Sequence, residues 1–172
     1  MSWFVVDVES DGPIPDQFSM VCFGAVLVDE NLDKTFYGQT KPISILWQKE
    51  ALAISGFSRE EHKAFPDPEE TMVNFLNWIN ATSRGRPVML SDNIAYDWQW
   101  INYYMHKYAG YNPFGYSGRR IGDLYCGLVK DSFAKWKHLR DTKHTHHPVD
   151  DAKGNAEVIL KMKEMGLKIP KK

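Results

Sequence analysis

The feature that most constrains this sequence is a pair of acids set inside an apolar run. The stretch FVVDVESDG (4–12) has the composition of a buried β-strand, yet Asp7 and Glu9 interrupt it. Residues two apart in a strand point to the same side, so the two carboxylates share a face, with Cα atoms about 6.5–7 Å apart. Uncompensated carboxylates beside a core repel each other and resist burial.

A divalent cation would remove both penalties. Oxygen-only ligands favour Mg²⁺ or Mn²⁺ over zinc. An edge strand with solvated acids, or a pair satisfied by arginine, explains residues 4–12 equally well. Further acids elsewhere in the chain must therefore decide between these interpretations.

Length and composition favour one globular domain. The chain has 172 residues, of which 43% are hydrophobic and 25% charged, and its net charge is −1. We predict a single domain over residues 1–172, long enough to bury a sizeable core. The near-neutral charge gives no sign of a general nucleic-acid or membrane binder.

The cysteines and the hydropathy pattern predict a cytoplasmic protein. Cys22 and Cys126 have no metal-ligand spacing, and two cysteines alone make no disulfide framework. The first residues lack the basic and apolar segments of a signal peptide. No apolar stretch approaches the roughly 20 residues that a membrane span needs.

The charges are unevenly spread along the chain. Residues 1–33 contain seven acids and no lysine or arginine, whereas residues 119–144 contain seven bases and three acids. The basic segment is either a surface for a phosphate backbone or a solvated face.

Strand patterns come first in the chain, and helix patterns follow. Apolar runs at 20–28 and 35–43 join the first strand by short turns, which predicts an antiparallel meander, and 86–93 predicts one more short strand. Helix starts and helical periodicity occur at several later places: after the capping box Ser58/Glu61, after the N-cap Asp67, and over 95–109 and 148–165. This order predicts an α/β fold with a mixed sheet and helices packed on it, and surface loops with at least one short helix over 110–145.

Two later clusters contain further acids, and the second of them also contains three histidines. SDNIAYD (91–97) closes a strand and opens a helix, and HTHHPVDDAKGNAEVI (144–159) opens the last helix. Taken singly, Asp97 and Asp151 could serve only as helix N-terminal acids, and the histidines could be solvated.

Taken together, the three clusters resemble the motifs of the DEDDh (DnaQ-like) 3′–5′ exonucleases, the family of RNase T and oligoribonuclease. The D-x-E motif is matched by Asp7-Val8-Glu9, the Asn-containing turn by Asn93 to Asp97, and the His-x4-Asp motif by His146 to Asp151. The motifs occur in family order and span positions 7 to 151.

The resemblance implies an RNase H-like mixed sheet with helices on both sides and a two-metal hydrolysis of phosphodiester bonds from the 3′ end. Two Mg²⁺ or Mn²⁺ ions would stabilise the attacking and leaving oxygens. By resemblance, four carboxylates hold the metals and His146 takes the proton from the attacking water; the four are Asp7, Glu9, Asp97 and Asp151. The implied substrate is a single-stranded RNA or DNA 3′ end, with RNA slightly favoured for a compact chain, and a homodimer is implied by the relatives.

Two further segments are similar to the family, and two positions differ from the family pattern. ISGFSREE (54–61) is similar to the family's loop before its second helix, and IGDLY (121–125) to a strand that often carries Asp-Thr-Leu. Asp92 stands where the family often has His, and Pro148 where it usually has Ala. Neither departure removes an implied ligand.

Apolar and aromatic residues near the motifs are candidates for substrate contact, because single-strand readers stack bases on such side chains. Phe18, Met20 and Phe57 could wedge the terminal bases, and Trp100 could line the cleft three residues after Asp97. Asn93, in the second motif, is a fifth candidate. The other apolar residues of the helix predicted over 95–109 have the spacing of a stripe that faces the core.

Other functions remain open from the sequence alone. A nucleic-acid-binding domain with weak catalysis is disfavoured by the presence of all five expected active-site residues. Another metal-dependent phosphoesterase of the RNase H-like group is disfavoured by the His-x4-Asp spacing. A Ca²⁺-binding interaction module is disfavoured because no EF-hand spacing occurs.

Overall fold

The structure is a computed structural model that describes residues 1–169. Five strands form one mixed sheet in the order β3-β2-β1-β4-β5. Their bounds are Ser2–Ser10 (β1), Met20–Leu27 (β2), Thr35–Gln39 (β3), Pro87–Ser91 (β4) and Arg119–Arg120 (β5). β1 pairs antiparallel with β2 and parallel with β4, so it is the central strand. The predicted antiparallel meander of the first strands is confirmed.

Helices cover both faces of the sheet, as predicted. Along β1, even-numbered residues such as Phe4 and Val6 pack with α3 and α4, while Trp3 and Val5 pack with α5 and α6. Six α-helices and one short 3-10 helix occur within the described residues. Their bounds are Lys49–Ile54 (α1), Arg59–Lys63 (α2), Pro68–Thr82 (α3), Ile94–Tyr108 (α4), Ile121–Val129 (α5), Lys137–Leu139 (the 3-10 helix) and Pro148–Glu164 (α6).

The predicted helix starts are confirmed. Ser58 and Glu61 form a reciprocal capping box, and the Asp67 side chain accepts from the Glu69 N–H ahead of Pro68. α6 ends one residue short of the predicted Met165, and Gly166 follows with a φ of +106°.

Two boundaries differ from the sequence prediction. β3 ends at Gln39 instead of 43, since Pro42 has no N–H for a ladder and the chain turns away after Thr40. IGDLY (121–125) is helical and not a strand: its Ile121 and Tyr125 lie one turn apart on the buried face of α5. Segment 110–145 thus holds a nine-residue helix.

Both cysteines are free thiols, in line with the predicted absence of a disulfide framework. Among the described residues, no helix combines the length and the apolar character needed to cross a membrane.

The approach of α6 to the sheet depends on a missing side chain. A Cβ atom placed on Gly24 of β2 would stand 2.4 Å from the Pro148 carbonyl carbon and the Val149 nitrogen. Gly24 is also the cross-strand partner of Asp7. The first turn of α6 therefore rests directly on the backbone beside the first motif.

We predict that Gly24→Ala destabilises the protein by about 1–3 kcal/mol, the usual cost of overpacking, because the methyl group collides with backbone that cannot rotate away. Urea unfolding measures this free energy. Gly127→Ala on α5 is the matched control: its Cβ meets no atom within 4 Å, and alanine favours a helix interior. Equal stability of the two variants would contradict the close-packing explanation.

Candidate active site

Asp7 and Glu9 lie on the central strand, on the same side of β1 as Trp3 and Val5, which face α6. The predicted sharing of a face thus agrees with the alternation along β1. A β-bulge between Glu9 and Ser10 ends regular pairing with β2 directly after the second acid. Bulges of this kind re-aim side chains at the edges of active sites.

Asp97, in the first turn of α4, is held by hydrogen bonds to β1 and to β4. One carboxylate oxygen, Oδ1, accepts from the Val8 N–H at 3.0 Å, and Oδ2 accepts from the Ser91 hydroxyl at 2.6 Å. Val8 lies between Asp7 and Glu9 in the chain. The hydrogen bond therefore brings the second-motif carboxylate to the middle of the first motif.

Asp151 is buried in the first turn of α6 and is surrounded by donors from the preceding loop. Its Oδ1 accepts from Arg140 Nη2 at 2.9 Å and from the Thr145 N–H at 3.2 Å, and lies 2.8 Å from His144 Nδ1. Its Oδ2 accepts from the His146 N–H at 2.9 Å. The loop that carries the histidines is thus tied to the third-motif acid.

Three acids of the cluster, Asp7, Glu9 and Asp97, have raised pKa values and so resist ionisation. Burial raises the pKa of Asp7 well above its usual range, and the charges of Asp97, Glu9 and Asp151 raise it further. Burial, with the charges of Asp151 and Asp97, raises the pKa of Glu9 to about 7. Burial also raises the pKa of Asp97 to about 7, against the lowering effect of its hydrogen bonds with Ser91 and Val8.

The donor set fits a hard divalent cation. Within residues 1–169, no hydrogen-bond donor satisfies the Asp7 carboxylate, and the nearest basic group to Glu9 is His146 Nδ1 at 3.9 Å from Oε1. Carboxylate oxygens without protein donors among these residues, as on Asp7 and Glu9, are the ligands that Mg²⁺ and Mn²⁺ prefer. A cation held there would relieve the repulsion between the acids.

The three histidines have different surroundings. His146 lies beside Glu9, half-exposed, with a left-handed backbone φ of +61° that is uncommon outside glycine. The ring of His147 stacks on Tyr37 with centroids 5.1 Å apart, and its Nδ1 faces Asp150 at 3.7 Å. His146 is therefore the histidine that lies beside Glu9 of the first motif, whereas the His147 ring is held by Tyr37.

His144 was not predicted to touch an acid of the site. Potential ligand atoms of His144, His146 and Asp151 lie within 4.8 Å of one another. Imidazole nitrogens suit softer ions such as Zn²⁺ better than Mg²⁺. This grouping escaped the sequence analysis because it depends on the fold of the loop before α6.

Two predicted substrate contacts are wrong. Met20 and Trp100 are fully buried in the core between the sheet and α3 and α4. Trp100 does lie one turn from Asp97, but it packs inward, against Tyr96 and Tyr104. Side chains without exposed surface offer no face for a base.

The other three predicted contacts lie near the surface. Phe18 is half-buried and sits over Gly12 so closely that a Cβ there would stand 2.1 Å from its ring. Phe57 is half-buried, edge-on to Phe65 at 4.9 Å. Asn93 is exposed at the N-cap of α4. Their contact with substrate stays a prediction.

Three supporting residues were missed by sequence reasoning. Arg140 binds Asp151 across a loop, Ser91 fixes Asp97 from the end of β4, and Gly24 admits α6. Only Ser91 carried a local signal, as the residue that ends the strand before the second motif. The other two act over long separations in the sequence.

Known proteins are similar to this chain in sequence and in fold. The chain is 36% identical over 167 residues to the 3′-5′ DNA exonuclease Cap18 of Escherichia coli, over 90% of this chain and 87% of that protein. The chain belongs to the DEDDh-type 3′–5′ exonucleases. The predicted enzyme class, a 3′–5′ exonuclease of the hydrolases, is thereby confirmed. No protein-family model matches the chain.

Solved structures show that the fold is that of RNase H-like exonucleases. Cell-death related nuclease 4 (CRN-4) superposes with a TM-score of 0.76 at 15% identity, over 96% of this chain and 64% of that one. E. coli exonuclease I in complex with a dT13 oligonucleotide superposes with a TM-score of 0.72 at 16% identity, over 94% of this chain. The chain spans only 41% of exonuclease I. At these identities the likeness concerns the fold, which is the predicted one.

The raised pKa values predict how metal-free exonuclease responds to pH. A carboxyl whose pKa is raised in the folded state contributes stability below its unfolded value, near 4, and loses it as pH rises through the folded value. For Glu9 and Asp97 the loss is therefore expected between about pH 4.5 and pH 7. We predict that Asp7→Asn, which removes one charge from the cluster, is more stable than wild type at pH 8 in the presence of EDTA.

Urea unfolding at pH 4.5 and pH 8 measures this difference. The advantage of Asp7→Asn should shrink or vanish at pH 4.5, where the wild-type acids hold protons. Added Mn²⁺ should stabilise wild type at pH 8 and have much less effect on the variant, since the ion binds only the folded cluster. A variant less stable than wild type at both pH values would show that the cluster is not under electrostatic stress.

Proposed function

We propose that this exonuclease shortens single-stranded DNA from the 3′ end, releasing nucleoside monophosphates in a reaction that requires two Mg²⁺ or Mn²⁺ ions. The observation that carries the proposal is the convergence of Asp7, Glu9, Asp97 and Asp151 at the end of β1, with His146 beside Glu9. These four acids would hold the metals and His146 would act as general base.

The division of labour follows from the surroundings of each group. Bound at the carboxylates, the metals would supply Lewis-acid stabilisation of the charge that develops on the attacking and leaving oxygens. Asp97 is pre-oriented by the hydrogen bonds it accepts from Val8 and Ser91, which hold its carboxylate beside the first motif. His146 is half-exposed, which gives a water molecule access to its ring, and it would accept that water's proton.

The choice of DNA rests on the relatives. The sequence alone slightly favoured RNA, and no comparison supports that preference. Cap18 is named as a DNA exonuclease, and exonuclease I has been solved with DNA oligonucleotides. The homodimer and the cytoplasmic location stay predictions.

A digestion panel tests the proposal. Single-stranded and double-stranded DNA and RNA, each labelled at the 5′ end, are incubated with and without Mn²⁺. We expect a ladder of single-stranded DNA that shortens stepwise and only with metal. Fragments from internal cuts that appear before the shortest products would indicate an endonuclease. Faster degradation of RNA than of DNA would reverse the proposed sugar preference. The absence of any cleavage would contradict the nuclease activity and leave a binding domain.

We predict that His146→Ala lowers turnover by about 10²–10⁴, the usual worth of a general base, and leaves Mn²⁺ binding intact. Single-turnover digestion measures the rate, and the Mn²⁺-induced rise in melting temperature measures binding. His147→Ala is the matched control: its ring stacks on Tyr37, away from Glu9, so it should cost far less. His144→Ala should also cost less, and mainly in substrate affinity. If His147→Ala is inactive and His146→Ala is active, the third motif has been assigned one residue out of register.

A further inference from the structure

A cavity of about 460 Å³ opens between α5 and the loop that follows it. We name it the α5 cavity; it is lined by Arg120, Asp123, Cys126 and residues 132–137, with Gly122. Its floor is the buried Trp136, which fits because Gly122 has no side chain: a Cβ there would stand 3.1 Å from Trp136 Nε1. None of the predicted site residues contributes to it.

Three cations surround the α5 cavity. Arg120 pairs with Asp123 on the cavity wall at 3.1 Å, and Lys137 Nζ lies 2.7 Å from Asp92 Oδ2. Lys135 is exposed and forms no ion pair with any residue in the 1–169 range. The charge on the cavity wall is therefore positive, with one lysine free to meet an anion.

An aromatic ring stands at the rim. Phe133 is 91% exposed, although a phenyl group in water is unfavourable. The backbone at this position is held by a hydrogen bond, which the Phe133 N–H donates to Asp131 Oδ1 at 2.9 Å. An exposed ring beside a lysine without an ion pair among the described residues is the combination that single-strand binders use, with bases on the ring and phosphates on the cation.

The wall of the α5 cavity is linked to the active site through Asp92. Lys137 and Arg120 both hold Asp92, the latter through its Nε and the Asp92 carbonyl oxygen at 3.2 Å. Asp92 belongs to the second-motif turn, and its charge reaches Asp97. Three residues after Lys137, Arg140 binds Asp151. The segment from the cavity to Arg140 thus runs along the site from the second-motif acid to the third-motif acid.

We propose that the α5 cavity binds the part of a single-stranded DNA substrate on the 5′ side of the scissile phosphate, with a base stacked on Phe133 and a phosphate on Lys135. The proposal rests on the proposed function. A 3′ terminal nucleotide at the carboxylates leaves only the 5′ part of the strand to extend away from them. Asp92 then anchors the wall of this path through Lys137.

Binding and length dependence together test the path. Fluorescence anisotropy in EDTA measures the affinity for an oligo-dT of about 12 nucleotides, within the usual range of single-strand site sizes. Phe133→Ala should weaken binding by about 5- to 100-fold, the usual worth of one stacked base. Phe133→Leu should lose nearly as much, since it keeps apolar surface without a ring, and Phe133→Trp should bind as well as wild type.

Salt dependence separates the lysine from the ring. Lys135→Ala should reduce the slope of log affinity against log salt by about 0.7, the value of one phosphate contact on a single strand. Phe133→Ala should leave that slope unchanged. Controls outside the cavity are Ile45→Ala, which is equally exposed between β3 and α1, and Lys163→Ala near the end of α6. Both should bind as wild type.

Digestion then tells the two proposals apart. The loss in Phe133→Ala should appear as a raised KM on the longer oligonucleotide. It should be much smaller on a dinucleotide, because the proposed path needs further nucleotides on the 5′ side to place a base on the ring. If wild type degrades DNA from the 3′ end and the Phe133 and Lys135 variants bind normally, the path is wrong and the proposed function stands. If wild type degrades nothing, the proposed function fails, whatever the variants bind.

Discussion

The contact between the backbone of β2 at Gly24 and the first turn of α6 governs how the site is built. α6 carries Asp151, and the loop before it carries His146, so the depth at which α6 docks sets the distance of both from Asp7 and Glu9. A side chain at position 24 would separate the third motif from the first. The binding of Asp97 to Val8 then fixes the remaining acid on the same strand.

Asp7 and Asp11 lie close together in the sequence but have different surroundings. Asp11, two residues after Glu9, is fully buried, yet Arg59 donates to its Oδ2 at 2.6 Å and the Ser19 N–H to its Oδ1 at 2.5 Å. Asp11 is thus satisfied by the protein and stabilises the turn after β1. Asp7 lacks such donors among the described residues, so within the chain its carboxyl resists ionisation, and a bound cation would stabilise its charged form. The contrast distinguishes a structural acid from a ligand-binding one.

Much of the fold and the acids of the site could be predicted from the sequence because the signals are local. Apolar alternation around Asp7 and Glu9, and helix starts at Asp67 and Pro148, each depend on a few neighbouring residues. Trp100 shows what the sequence could not predict. Helical spacing placed it one turn from Asp97, but only the packing of α4 on the sheet decides which face of the helix is buried. Arg140 and Gly24 were invisible because their partners lie far along the chain.

The site is assembled from residues separated by most of the chain, and this has a consequence for protein synthesis. A ribosome completes β1, with Asp7 and Glu9, long before it reaches the loop of His146 and the helix of Asp151. Domains form as units during translation, and contacts between distant segments form late. A nascent chain therefore holds two acids without their partners. The carboxylate cluster is complete only after α6, which carries Asp151, has been synthesised and has docked on the sheet.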